Sequence, residues 1–280
     1  MAAGCNGGSA LGIVSLKSRM ISSTDAPGIH AEALTRLLSG EISCLVVRGF
    51  IEDQIAALIC ERLMDLPDFL PHKDVPGLQV LGYSHFQAVR DPELFCSYSR
   101  IGKTLQRRLE EISSPEMSPF QTLLDYLCAN TNRVVEKLSL EQESELAPFT
   151  VRACHYDVGI EPHQDLLAAE SPAEKIPRKF TRQLAVNLFL SAADDGGDLE
   201  IFDLGPDDTG YDNLDDGPKS VEPESLPEPC VSVRPKTGDL ILFDSTLVHR
   251  VLENSGAKPR MTLSCFAATS TESSKLRYWV

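Results

Sequence analysis

Apolar side chains in the first half of the chain recur at spacings of three and four residues, which indicates amphipathic helices. This spacing predicts helices over residues 53–66, 101–112 and 119–138. Between the first two helices, residues 77–89 alternate irregularly, which predicts one or two strands. We therefore expect the N-terminal half of the protein to be mainly helical.

The pattern changes near residue 149, where short apolar or alternating runs are separated by Gly, Pro, Asn and Asp. The runs that predict strands are 149–156, 184–190, 199–202, 231–234, 240–243 and 261–267. Residues 194–197, Asp-Asp-Gly-Gly, predict a hairpin turn between two of these strands. Successive short strands without long helices between them favour a sandwich or jelly roll. The expected fold class is α+β, with helices buttressing a β core.

The domain organisation follows from these patterns and from local composition. We expect one domain over residues 25–280, with a helical buttress at about 50–140 and a jelly-roll core at about 149–267. Residues 203–229 hold five prolines, nine acids and one Lys, which predicts a polar, acidic insertion between strands. Residues 1–24 contain no acid and are rich in small residues, so a disordered tail is favoured over a targeting segment.

Charge and cysteine usage restrict the classes of partner and location. The 26 Lys and Arg against 41 Asp and Glu give a net charge of −15, which disfavours nucleic acid and anionic membranes as partners. Thirteen of the acids lie between residues 194 and 228. No apolar run is long enough to span a bilayer. The eight cysteines are scattered singly, which is typical of reduced thiols, and we expect a cytoplasmic protein.

Three His-x-Asp pairs offer an imidazole and a carboxylate on one face of a strand, where both can bind one metal ion. They are His72/Asp74, His155/Asp157 and His163/Asp165. A further His would complete the facial triad of a non-haem Fe(II) oxygenase, and His249 follows the predicted strand 240–243.

Context favours the third pair. His163 follows Gly159 and Pro162 at the mouth of a strand, and an apolar pair comes after Asp165. The first pair lies between prolines in a predicted surface turn. The second pair also fits a core histidine beside a carboxylate, so it stays open as an alternative.

Arg260 and Thr262 lie two positions apart on the last predicted core strand and share one face of it. A guanidinium beside a hydroxyl suits a distant carboxylate, because the planar fork of Arg binds both carboxylate oxygens. The alternative interpretation is that Arg260 is a surface residue on an edge strand.

The whole order of motifs resembles the Fe(II)/2-oxoglutarate-dependent oxygenase superfamily, which has a double-stranded β-helix (jelly roll, cupin-like) core. The motifs are Thr150-Val-Arg152, His163-x-Asp165, Gly196-Gly197, Leu199, His249-Arg-Val251 and Pro259-Arg-x-Thr262. Within the superfamily they are similar to the branch that holds N-substituted amino-acid hydroxylases and cyanobacterial indole-alkaloid halogenases. Arg48-Gly49-Phe50 and Tyr278-Trp279 extend a weaker similarity over most of the chain.

The resemblance implies a set of cofactors and their residues. His163, Asp165 and His249 would hold Fe(II), Arg260 and Thr262 would bind the cosubstrate 2-oxoglutarate, and O2 would take the last position. Arg152 is a further candidate near the cosubstrate. The halogenases of the branch have Gly at the position of Asp165, which leaves room for chloride. The Asp in this chain therefore implies hydroxylation, with release of succinate and CO2.

The substrate implied by the resemblance is a small molecule, an amino-acid derivative or a natural-product intermediate. Candidate substrate contacts are Tyr83, His85 and Phe86 in the strand region before the core, and Arg178 and Arg182 in a predicted lid over residues 166–182. A prolyl-type protein hydroxylase, a zinc hydrolase and a non-catalytic jelly-roll metal-binding module are alternatives. A homodimer is compatible with the sequence, which does not determine the oligomeric state.

Overall fold

A computed structural model describes residues 20–23, 29–72, 75–89, 91–113, 118–139, 146–167, 180–209, 221, 223–270 and 273–280. Its helices are mostly in the N-terminal half. They are α1 (Ile29–Ser39), α2 (Asp53–Met64), α3 (His85–Val89), α4 (Pro92–Ile112), α5 (Pro119–Thr131) and the short α6 (Pro206–Thr209). A 3-10 turn covers Pro223–Ser225. None of the described helices is long and apolar enough to cross a membrane.

The strands belong to a ten-stranded, largely antiparallel sheet, a four-stranded antiparallel sheet and a two-stranded ladder. The large sheet contains β1 (Met20–Ser23), β2 (Cys44–Val47), β3 (Leu70–Pro71), β4 (Leu78–Leu81), β5 (Val134–Lys137), β6 (Thr150–Cys154), β8 (Phe180–Ser191), β12 (Leu240–Asp244), β15 (Arg260–Ser270) and β16 (Ser273–Trp279). The small sheet contains β7 (Ile160–His163), β10 (Leu199–Ile201), β11 (Val231–Val233) and β13 (His249–Val251). The ladder pairs β9 (Asp195–Gly196) with β14 (Asn254–Ser255).

The order of the large sheet is β1-β2-β12-β8-β15-β6-β4-β3, and β16 joins the C-terminal half of β15 and pairs with β5. The order of the small sheet is β11-β10-β13-β7. Strand β15 is central because its first half pairs with β6 while almost its whole length pairs with β8. The residues of β15 are therefore held on both sides by backbone ladders.

Two apolar cores cover the two faces of the large sheet, as the alternation of side chains along a strand requires. On one face, Val186 and Leu188 of β8 pack with apolar residues of α1, α2, α4 and α5. On the other face, Ala185 and Phe189 of the same strand pack with Leu199 and other small-sheet residues. The protein is thus built from a helical layer, a large sheet and a small sheet.

Most of the predicted elements of the core are confirmed. Each of the six runs that predicted strands overlaps an observed strand of the two sheets, and the helix predicted over 53–66 is α2. The helix predicted over 101–112 is the second half of α4, which begins earlier, at Pro92. Its N-terminus is capped by Asp91, whose side chain accepts hydrogen bonds from the backbone N–H groups of Glu93 and Leu94.

One prediction in the N-terminal half is wrong, and a second is confirmed only in part. The helix predicted over 119–138 ends at Thr131, because Asn132 adopts a left-handed conformation with φ 50°, and β5 follows. The region 77–89 contains strand β4, but its second part is the helix α3 and not a strand.

One prediction about a connection is also wrong. Residues 194–197 do not form a hairpin, because β8 and β10 belong to different sheets and β9 pairs with β14 instead. The predicted tail, residues 1–24, includes β1, which pairs in parallel with β2. The rest of that tail lies outside the described residues.

The acidic insertion predicted over 203–229 connects β10 to β11, two neighbouring antiparallel strands of the small sheet. Its described parts are α6, the 3-10 turn and the residues around them. Residues 210–220 and 222 lie outside the described part of the chain.

Candidate metal centre

Three side chains from two neighbouring strands meet at one end of the small sheet. His163 is the last residue of β7 and pairs with His249, the first residue of β13. Asp165 follows β7 by two residues, so its side chain points to the same side as that of His163. Oδ2 of Asp165 lies 3.9 Å from Nε2 of His163 and 3.5 Å from Nε2 of His249. The three residues offer donor atoms that all lie within 4.8 Å of one another, as the ligands of one metal ion do.

Backbone carbonyls orient both imidazole rings. Nδ1 of His163 donates to the carbonyl of Glu161 over 2.7 Å, and Nδ1 of His249 donates to the carbonyl of Leu247 over 2.9 Å. Because a carbonyl only accepts, each Nδ1 carries the proton and each Nε2 keeps its lone pair. Metal-binding histidines are commonly oriented in this way, by a hydrogen bond from the ring nitrogen that does not bind the metal.

The protonation states suit a metal ion. Burial, reinforced by the nearby His249, lowers the pKa of His163 to about 4. Burial raises the pKa of Asp165, but the close contact with His249 and the electrostatic effects of the neighbouring His163 and Arg152 outweigh burial and lower that pKa to about 2. At neutral pH, His163 is neutral and Asp165 is ionised, so both are ready to bind a cation.

The two competing His-x-Asp pairs do not form such a cluster among the described residues. Nε2 of His155 lies 3.0 Å from Oε1 of Gln79, and Asp157 is exposed in a left-handed turn with φ 57°. His72 lines a cavity, whereas Asp74 lies outside the described residues.

An inner pocket next to the cluster contains the predicted carboxylate-binding pair. Arg260 and Thr262 of β15 both line it and are buried, Arg260 with 8% of its surface exposed. Arg260 donates from Nη1 to Sγ of Cys154 over 3.6 Å, and its guanidinium lies 5.3 Å from the ring centroid of Phe189. Its Nε has no hydrogen-bond partner among the described residues. A buried guanidinium with an unsatisfied N–H fits an anionic ligand.

Arg152 connects this pocket to a larger cavity. Its side chain lines both, and Thr262 is its neighbour across the β6–β15 ladder. The larger cavity has a volume of about 510 Å³, and His163 and Asp165 form part of its wall. The metal cluster therefore faces both spaces.

Only some of the predicted substrate contacts line the larger cavity. His85 and Phe86 line the larger cavity, although they lie on α3 and not on a strand. Tyr83 packs against the apolar core between the sheets and is not among the residues lining this cavity. Arg182 forms an ion pair with the buried Asp244 and likewise lies outside the cavity wall. Arg178 and most of the predicted lid lie outside the described residues.

Three residues of the site were not predicted from the sequence. Cys154 and Phe189 hold Arg260, and the buried Gln164 lies between two of the metal ligands. The alternation of β8 gives a signal for Phe189, because Ala185, Asn187 and Phe189 all face the inner pocket. No comparable sequence signal marks Cys154 or Gln164.

The two sheets and the His-Asp-His cluster define the class of non-haem metal oxygenases. A similar solved structure is the N-substituted L-amino acid dioxygenase from Burkholderia ambifaria AMMD in complex with alpha-KG, with 18% identity, a TM-score of 0.57 and coverage of 89% of this chain and 91% of that chain. A second structure of that enzyme has 16% identity, the same TM-score and the same coverage. HygX from Streptomyces hygroscopicus with nickel and 2-oxoglutarate bound has 16% identity, a TM-score of 0.48 and coverage of 88% of each chain. No curated protein matches the chain.

The chain belongs to the carrier-protein-independent halogenase WelO5 family, whose model matches residues 22–280. This match confirms the superfamily expected from the motifs, and the protein is an enzyme of the 2-oxoglutarate-dependent non-haem iron oxygenases. Family membership alone does not decide the reaction, because the reaction depends on the ligands that the chain supplies to the metal.

Proposed function

We propose that the protein is an Fe(II)/2-oxoglutarate-dependent dioxygenase that hydroxylates an unactivated C–H bond of a small molecule, releasing succinate and CO2. His163, Asp165 and His249 hold the iron. The two sheets that share a core form the double-stranded β-helix of this superfamily, an interpretation supported by the TM-score of 0.57 with an amino-acid dioxygenase.

The observation that carries the proposal is the Asp165 carboxylate, which lies within 3.9 Å of both imidazole Nε2 atoms. The halogenases of the branch have Gly at this position, which leaves space for chloride. In this chain, the carboxylate takes that space and supplies the third protein ligand of a facial triad. Hydroxylation is therefore favoured over halogenation.

The inner pocket supports 2-oxoglutarate as the cosubstrate. Arg260 is a buried cation with an unsatisfied Nε, and Thr262 lies on the same pocket wall. Both groups suit the carboxylate of the cosubstrate that is distant from the metal. Arg152 adds a second positive charge between the pocket and the metal cluster.

Iron, 2-oxoglutarate and O2 supply the oxidising power when they are bound. The residues of the chain bind and orient these groups and exclude water from them. The carbonyls of Glu161 and Leu247 hold the two imidazoles in one tautomer, while Phe189 and Cys154 hold the guanidinium of Arg260. Preorganised groups of this kind reduce the reorganisation that the reaction would otherwise require.

The larger cavity supports a small-molecule substrate. Its volume of about 510 Å³ is within the usual range for ligand pockets, and its wall includes Phe86, Ile160 and Trp279. The similar dioxygenase from Burkholderia ambifaria acts on N-substituted L-amino acids by its name. An amino-acid derivative or a natural-product intermediate is the substrate class that we propose.

Succinate release in a screen of amino acids and natural products tests this function. Active compounds should gain one oxygen atom, measured by mass spectrometry in buffer that contains chloride. A chlorinated product would contradict hydroxylation. Turnover of a peptide, with none of the small molecules active, would favour a protein hydroxylase instead.

A further inference from the structure

Gln164 lies between the two metal ligands of the His-x-Asp motif, and its carboxamide hydrogen-bonds residues outside the metal cluster. Gln164 is buried, with 1% of its surface exposed. A buried amide requires hydrogen-bond partners, and Gln164 has one at each end of its carboxamide.

The two partners of Gln164 come from different parts of the chain. Its Nε2 donates to the carbonyl of Thr246 over 2.6 Å, and its Oε1 accepts from the hydroxyl of Thr209 over 2.6 Å. Thr246 lies in the turn between β12 and His249. Thr209 is the last residue of α6, in the acidic insertion.

The insertion contacts the metal strand on both sides of His163. Before it, the backbone N–H of Val221 donates to the carbonyl of Pro162 over 3.2 Å. After it, Thr209 donates to Gln164. The described ends of the insertion therefore hold the strand segment that carries the first metal ligand.

The turn on the other side of Gln164 is fixed in the same way. The carboxylate of Asp244 accepts from the backbone N–H of Thr246 over 3.1 Å and from its hydroxyl over 2.6 Å. Asp244 also pairs with Arg182. The carbonyl of Ser245 accepts from the backbone N–H of Asp165 over 2.9 Å. Gln164 thus links the insertion to the turn that leads into His249.

We propose that Gln164 is a positioning residue for the metal ligands, and that Thr209 makes the acidic insertion part of this support. The inference rests on the proposed function, because it requires His163, Asp165 and His249 to bind iron. Loss of a group hydrogen-bonded directly to a metal ligand typically weakens metal binding about 10- to 100-fold, and Gln164 acts on the ligands through the backbone, so its effect should lie at the lower end of this range.

The test measures the dissociation constant of Fe(II) under anaerobic conditions, and the absorption spectrum of the Co(II)-substituted protein. Gln164→Met keeps the size of the side chain but removes the hydrogen bonds to Thr246 and Thr209, and we expect about 10-fold weaker Fe(II) binding. Thr209→Val removes the hydrogen bond to Gln164, together with the longer contacts of the same hydroxyl with the carbonyls of Gly205 and Pro206, and should weaken binding several-fold. Both variants should change the Co(II) spectrum, which reports ligand geometry.

Thr209→Ser keeps the hydroxyl and should restore the affinity and spectrum of the wild type. Thr122→Val is a matched control, because it removes a hydroxyl that donates to the carbonyl of Ser118 within the helical layer. If Gln164→Met does not fold, the comparison of Thr209→Val with Thr209→Ser tests the inference by itself. Folded Thr209→Val with wild-type affinity and spectrum would overturn the inference. A wild-type protein that binds no Fe(II) would instead overturn the proposed function.

Discussion

Nε2 of His249 lies 3.5 Å from Oδ2 of Asp165, although His249 begins β13 and Asp165 follows the end of β7. Their proximity follows from the antiparallel pairing of β7 with β13, which sets His249 opposite His163. The same pairing places all three donor atoms around one point. The ligand set is therefore a product of strand register and not of local sequence alone.

Replacing Asp165 with Ala should abolish hydroxylation while the fold stays native-like. The side chain is a metal ligand in our account, and its removal leaves only two protein donors for the iron. Succinate release measures the activity, and circular dichroism with a thermal melt measures folding. Full activity in a folded Asp165→Ala protein would show that the triad is assigned wrongly.

Iron binding should be lost in His163→Ala and kept in His155→Ala. His155 contacts Gln79 and is not part of the metal cluster, so it is a matched control for the loss of an imidazole. Equilibrium dialysis with Fe(II) under anaerobic conditions measures the difference. The reverse result would mean that the metal binds at the other His-x-Asp pair.

Replacing Arg260 with Gln should raise the KM for 2-oxoglutarate about 10- to 100-fold. Hydrogen bonds to charged groups contribute about 1.5 to 3 kcal/mol, and about 1.4 kcal/mol corresponds to a factor of ten. Steady-state kinetics with varied 2-oxoglutarate measure the effect. Arg277→Gln is the control, because Arg277 pairs with Glu136 away from the pocket. An unchanged KM in Arg260→Gln would remove this residue from the cosubstrate site.

Cys44 and Cys265 should resist alkylation in the folded protein at mildly alkaline pH. Burial is the main cause that raises the pKa of each thiol to about 12, so the reactive thiolate is scarce until the pH approaches that value. Cys128 is exposed and should react before them. Peptide mapping after treatment with iodoacetamide measures the labelling. Rapid labelling of Cys44 before Cys128 would contradict the burial of the Cys44 thiol.

The β core was predictable because its strands are either apolar on both faces or alternate regularly between apolar and polar residues. The run 184–190 marks the centre of β8, which the structure extends to Phe180–Ser191. The clustering of the candidate metal ligands was predictable for a related reason, since His-x-Asp places two donors on one face of any strand. The assignment of Arg260 and Thr262 to one pocket wall rests on the same alternation.

The failures have local and long-range causes. Apolar residues continue beyond Thr131, so periodicity alone extended the helix, whereas Asn132 ends it through a left-handed conformation. Gln164 could not be predicted, because its role depends on Thr209 and Thr246, which only the tertiary structure brings to it. The pairing of Arg182 with Asp244 is also a long-range contact that the sequence does not indicate.

Anaerobic titration of the protein with Fe(II) and 2-oxoglutarate, with and without chloride, tests the central claim most directly. Chelation of iron by 2-oxoglutarate gives a metal-to-ligand charge-transfer band in the visible spectrum. We predict that the band appears only when both are present and that chloride does not change it, because Asp165 holds the position that chloride would need. No band, or a band that shifts when chloride is added, would contradict the account.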